Sequence, residues 1–176
     1  MEKDGRYENI KPLFISKTIR RYSDIFKVAI RKTAVAKDLK MNNNRFTDLI
    51  NSPGEFKIRE LTKQGDLFDL THTEIIELIQ PDYMHDEKDI DLDEKDSRYL
   101  QVKTMFKIGK ITRFTDIFTY VPKYVVARDM KKGKIGLNDP TSFTVKQVNT
   151  IAILCELTFM EMFQLIDAQI KTKRGK

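Results

Sequence analysis

Four consecutive side chains, Asn42-Asn43-Asn44-Arg45, carry the hydrogen-bonding chemistry that stands out in this chain. A carboxamide presents a donor beside an acceptor, which matches the edge of adenine, and a guanidinium fork matches guanine. Asparagine is also an ordinary helix cap and turn former, so the run reads either as a cap or as a base-reading surface. Arg20, Arg21, Lys32, Lys37 and Lys40 flank it with cations suited to phosphates, contacts that position a protein without carrying sequence information. Residues 11–50 hold ten basic and three acidic side chains, residues 81–96 two basic and eight acidic, and residues 171–176 four basic and no acidic. Basic segments around an acidic connector are compatible with a polyanion-binding face, and equally with lysines that solvate helices.

The elements that hold these residues are written twice. Ile19-Arg20-Arg21-Tyr22-Ser23-Asp24-Ile25-Phe26 returns 92 residues later as Ile111-Thr112-Arg113-Phe114-Thr115-Asp116-Ile117-Phe118, identical at five of eight positions. Ala36-Lys37-Asp38-Leu39 returns as Ala127-Arg128-Asp129-Met130, and Pro53-Gly54-Glu55-Phe56 as Pro140-Thr141-Ser142-Phe143. Thr71-His72-Thr73-Glu74 returns as Thr158-Phe159-Met160-Glu161. The order is kept, the signature of a duplicated unit. The expected division is a loose lead-in (1–14), a first repeat (15–80), an acidic linker (81–98), a second repeat (99–170) and a basic tail (171–176).

Helical signals fill both repeats. Thr71 with Glu74, Thr158 with Glu161 and Thr144 with Gln147 are capping boxes, in which the threonine hydroxyl and the N3 side chain each satisfy an orphan amide. Ser23 and Thr115 read as N-caps, with an aspartate following in the first turn. Val145, Val148, Ala152 and Cys155 recur on one helical face, and so do Phe46, Leu49 and Ile50, which predicts core. Five helices are expected per repeat, starting near Ser23, Thr33, Asn43, Lys57 and Thr71, then near Thr115, Lys123, Thr144 and Thr158 with a doubtful third. Gly65 interrupts the fourth helix of the first repeat, and Pro81 ends the fifth.

Composition narrows the class. At 40% hydrophobic and 33% charged residues, a soluble globular protein with a highly charged surface is expected, and the helical signals, with no convincing strand pair, make it all-α. No apolar run reaches the ~18 residues of a membrane span, and Met1-Glu2-Lys3-Asp4-Gly5 lacks an apolar signal core. The single cysteine, Cys155, fits a reducing cytoplasm. The spacing Asp89-Ile90-Asp91-Leu92-Asp93 begins like a calcium loop, but Glu94 and Leu100 stand where glycine and a bidentate glutamate are needed. His72 and His85 are too far apart for a zinc site of usual spacing. No nucleophile elbow, phosphate loop or carboxylate pair is evident, so neither an enzyme nor a cofactor or metal is expected.

The string Ile-x-Arg-(Tyr/Phe)-(Ser/Thr)-Asp-Ile-Phe, then Val-Ala-(Lys/Arg)-Asp-(Leu/Met), then Pro-x-x-Phe resembles small helix-turn-helix proteins of Bacteroidetes and their phages. These have the lambda-repressor-like (Cro/repressor) fold. The resemblance covers roughly 130 of the 176 residues. It implies two tandem five-helix units, a pseudo-dimer joined by the acidic linker, and it implies double-stranded DNA as partner. In such families the third helix enters the major groove. Carried onto the first repeat, the second helix is 33–39, the turn 40–42 and the reading helix 43–51. Base contacts then fall to Asn42, Asn43, Asn44 and Arg45, and phosphate contacts to Arg20, Arg21, Lys32, Lys37 and Lys40.

The second repeat departs at that segment. Asp38 to Pro53 is 15 residues, but Asp129 to Pro140 only 11. What is left, with Gly133 and Gly136 inside it, predicts a shortened or lost third helix. Lys131, Lys132 and Lys134 remain as phosphate contacts. The expected function is transcriptional regulation, read mainly by the first repeat. The alternative is a protein-interaction module, antitoxin-like or a phage accessory protein, that keeps the fold as a scaffold, with a protein partner or a homodimer.

Overall fold

A computed structural model describes residues 5–83, 95–131 and 133–174. It is helical throughout, with no strand among the described residues. The chain divides into two compact units, residues 1–87 and 88–176.

The first unit starts earlier than the sequence suggests. In place of a loose lead-in, a 3₁₀ turn (Gly5–Tyr7) leads into α1 (Ile10–Ile15). Tyr7 and Ile10 are buried. The Tyr7 hydroxyl donates to the Asp38 carboxylate, and Arg6 pairs with the same group at 3.4 Å. The reason is legible afterwards: Tyr7, Ile10, Leu13 and Phe14 follow a helical period, and Pro12 lies in the first turn, where its missing N–H costs nothing.

Helix α2 (Tyr22–Val28) has Arg21 at its N-cap, so Ser23 is the second helical residue and not the cap. The cap is the Asp24 carboxylate, which accepts from the Arg20 and Arg21 amides at 3.2 and 3.0 Å. Helix α3 (Lys32–Asp38) and α4 (Asn43–Asn51) are joined by Leu39–Asn42. Helix α5 (Ile58–Phe68) runs unbroken through Gly65. A Cβ there would sit 3.0 Å from the Leu70 carbonyl oxygen and 3.4 Å from an Ile75 methyl. Gly65 is thus a close-approach residue where α5 turns toward the next helix, and it interrupts nothing. Helix α6 (His72–Tyr83) passes Pro81. Its last residues are held from outside: Asp82 accepts the Ser23 amide at 3.1 Å, and Tyr83 is buried. The core is aromatic at its centre. Tyr22 meets Phe26 and Phe56 edge-on, each at 5.3 Å between ring centroids, and Phe26 meets Phe46 at 5.7 Å.

The second unit repeats this pattern. After a 3₁₀ turn (Ser97–Tyr99) capped by Asp96 come α7 (Leu100–Lys107), a 3₁₀ helix (Phe114–Thr119), α8 (Lys123–Asp129), α9 (Val145–Leu154) and α10 (Phe159–Arg174). Folded structure therefore begins before Tyr99, and α10 takes in much of the expected basic tail, with Lys171 paired to Asp167 at 2.6 Å. Residues 84–94 of the expected linker, the calcium-like spacing and His85 lie outside the described residues.

The duplication also shows in the backbone. Among the described residues those with positive φ are Lys17 and Gly109, Lys40 and Lys131, and Asp69 and Glu156, and each pair falls at matching repeat positions. All three pairs close helices. Around Lys40, for example, the Met41 amide bonds the Ala36 carbonyl at 2.8 Å and the Lys40 amide bonds Lys37 at 3.0 Å, the double bond of a Schellman cap. Tyr99 donates to Asp129 at 3.0 Å as Tyr7 does to Asp38. Asp116 caps from Thr112 and Arg113 at 2.9 Å each, so Thr115, like Ser23, is not the N-cap. Phe114 stacks edge-on with Phe118 and Phe143. All three Thr boxes form, with both reciprocal bonds present.

Candidate nucleic-acid interface

The turn that presents Asn42–Arg45 is fixed from both sides. On one side the Schellman cap ends α3, with Lys40 at φ 54°. On the other, Asn42 is the N-cap of α4: its Oδ1 accepts from the Asn44 amide at 2.9 Å and the Arg45 amide at 3.3 Å. The two readings of the asparagine run therefore divide among its members. Asn42 is spent as a cap. Asn43 and Asn44 are exposed, and among the described residues their side chains have no protein partner. Behind them Phe46, Leu49 and Ile50 are buried and anchor the helix.

Arg45 lies in the first turn of α4, where the helix dipole disfavours a cation. Its Nη2 pairs with Glu60 Oε1 at 2.5 Å, yet the side chain stays 56% exposed. Thr33, Ala34 and Lys37 of α3 face Met41, Asn42 and Asn43 across an open depression. Lys32, Lys37 and Lys40 have no ion-pair partner among the described residues. Lys37 is thus brought beside the asparagines. Arg20 is not: its Nε donates to the Lys17 carbonyl at 3.0 Å, and it lines a different depression with Phe14, Ile15, Ile19, Glu77 and Leu78. Arg21 is exposed at the N-cap of α2.

Sequence reasoning missed Thr33 and Glu60. Thr33 stands four residues before Lys37, one helical turn away on the same face, and that spacing was a usable signal. Glu60 reaches Arg45 across two helices, 15 residues away, and no local pattern announces it.

The second unit shows the expected loss. A 3₁₀ helix (Lys134–Asn138) of five residues replaces the nine of α4. Lys131 is exposed at φ 50°, and Lys132 lies outside the described residues. Lys123 and Arg128, which match Lys32 and Lys37, stay exposed but have partners within their own unit. Lys123 donates to Asn138 at 3.2 Å and lies 5.2 Å from the Phe118 ring centroid, and Arg128 pairs with Asp129 at 2.7 Å. Among the described residues no group of acids, histidines and cysteine is arranged to hold a metal, and no helix is long and apolar enough to cross a membrane.

The geometry describes a class, all-helical among the described residues and divided into two units, the first of which presents an exposed, polar-tipped helix pair. No family model matches the chain, and neither a curated protein nor a solved structure does.

Proposed function

We propose that this chain is a sequence-specific double-stranded DNA-binding protein of the lambda-repressor-like helix-turn-helix type, acting in transcriptional regulation. The first turn of α4 reads bases, with Asn43, Asn44 and Arg45 at the edges and Lys32, Lys37 and Lys40 on phosphates. The second unit is a matching half of a covalent pseudo-dimer that adds affinity through lysines, without reading bases. One observation carries the proposal. Asn43 and Asn44 stand exposed and, among the described residues, unpartnered at the tip of a helix whose opposite face (Phe46, Leu49, Ile50) is buried, beside Lys37, which has no ion-pair partner among those residues. A solvated cap would need only Asn42. The test is the double variant Asn44→Ala, Arg45→Ala. Its preference for a selected duplex over random duplex is expected to fall about 10- to 100-fold, with non-specific affinity much less affected. An unchanged preference contradicts the assignment.

A second reading, a protein-interaction module, is favoured by one observation. Ile15 is 68% exposed, and it shares the apolar depression that Phe14, Ile19 and Leu78 line. That reading requires the wild-type chain to show no preference among DNA sequences.

A further inference from the structure

Glu60 is the least expected residue beside the candidate reading helix, because a carboxylate repels phosphate. Its position explains it. Glu60 is the third residue of α5, and its two oxygens have separate partners. Oε2 accepts the Lys57 amide at 3.0 Å and so caps α5. Oε1 takes Arg45 Nη2 at 2.5 Å. The Glu60 side chain is only 12% exposed, whereas Arg45 is 56% exposed. The carboxylate is therefore a fixed post and the guanidinium its outward-facing load. An arginine has five N–H donors in a rigid fork, so one Nη2 bond leaves an edge free. The bond also removes rotamer freedom that an unrestrained arginine would lose on binding.

We infer that Glu60 is a positioning residue for base reading, which aims the free edge of Arg45 and so sets sequence preference at the position Arg45 contacts. The inference rests on the proposed DNA reading. The second unit supplies the contrast. There Gln147 occupies the matching place, keeps the cap (Oε1 accepts the Thr144 amide at 3.1 Å), and turns its other arm to the Met130 carbonyl at 3.2 Å. The cap is served by either side chain. Only the unit with α4 and Arg45 has the charged one.

That contrast supplies the variant. Glu60→Gln keeps an oxygen for the Lys57 amide and removes the charge that holds Arg45. Binding of the full chain to its selected duplex, to duplexes changed one base pair at a time, and to random duplex is compared with thermal unfolding. Glu60→Gln is expected to reduce discrimination at one position by about tenfold and to leave the melting temperature nearly unchanged. Non-specific affinity stays level or rises, since one negative charge has left the interface. In a cycle with Arg45→Ala, the second substitution is expected to add almost nothing to the first at that position. Additive effects in that cycle overturn the inference, and so does full discrimination in Glu60→Gln. So does a parallel fall of specific affinity, non-specific affinity and melting temperature, the mark of a residue that only supports the fold. If the wild-type chain discriminates among no duplexes, the DNA reading itself fails and this inference falls with it. Discrimination that Arg45→Ala abolishes but Glu60→Gln preserves sinks the inference alone.

Discussion

Asp24 and Asp116 occupy the same place in the two units, and each gathers two backbone amides at a helix start. For both, burial pushes the carboxyl up, but hydrogen bonds outweigh it and the net shift is downward. The amides of Arg20 and Arg21 and the Lys27 ammonium act on Asp24, and the Thr112 and Arg113 amides on Asp116. Hydrogen bonds from Arg98 lower Asp96 further, to about 2. A carboxyl that titrates lower folded than unfolded adds stability above its unfolded value of about 4, and that stability is lost as pH falls through the folded value. The melting temperature is thus expected to be flat from pH 7 to pH 5 on account of these groups and to drop below pH 4. Asp24→Ala and Asp116→Ala should each cost about 1 kcal/mol in denaturant unfolding at pH 7, and each should shrink the acid-dependent drop. A cost in one unit with none in the other contradicts their equivalence. Cys155 gives a second residue-scale test. It is buried, and burial pushes its thiol well up, so at pH 8 a thiol reagent is expected to label the native chain hundreds of times more slowly than the urea-unfolded chain. Rapid native labelling contradicts its packing.

At the scale of elements, the turn after α3 sets stability against the proposed activity. Lys40 holds a left-handed conformation that costs an L-residue about 1–2 kcal/mol, at a position where glycine is the usual choice. The matching cap after α1 shows both solutions, Lys17 in the first unit and Gly109 in the second. Lys40→Gly is expected to stabilise the chain by about 0.5 kcal/mol, the relief less glycine's larger entropy loss, and at the same time to weaken DNA binding by removing a phosphate contact. Unfolding and binding measured on one preparation should move in opposite directions, and a loss of both contradicts the assignment of Lys40. The sequence carried much at this scale. Helix starts near Thr33, Asn43, Lys57, Thr71, Lys123, Thr144 and Thr158 were legible from caps and period, because both are local. The failures have two sources. At Tyr7–Ile15 and Pro81 a contact distant in sequence decided the outcome, Asp38 holding Tyr7 and Ser23 holding Asp82, whereas at Ser23 and Gly65 the deciding contacts are local, the amides before α2 turning to Asp24 and the Leu70 carbonyl crowding Gly65.

Across the whole molecule, the duplication is a duplication of supports. Caps, edge-on aromatic pairs and left-handed turns recur at matching positions, and each set lies in a compact unit long enough for a core of its own. What differs is the segment between Asp38 and Pro53. The sequence made its shortening countable in the second copy, and its replacement by a short 3₁₀ helix follows. The candidate site was only half legible. Residue types pointed to Asn43, Asn44, Arg45 and Lys37, but the assignment of Asn42 to the cap and of Glu60 to Arg45 needed three dimensions. In the proposed function this chain chooses among DNA sequences through one exposed helix. Selection of bound duplexes from a random pool at low salt tests it most directly. One short motif is expected to be enriched by the wild-type chain and lost with Asn44→Ala, Arg45→Ala, and a pool that returns unenriched from the wild-type chain overturns the DNA reading.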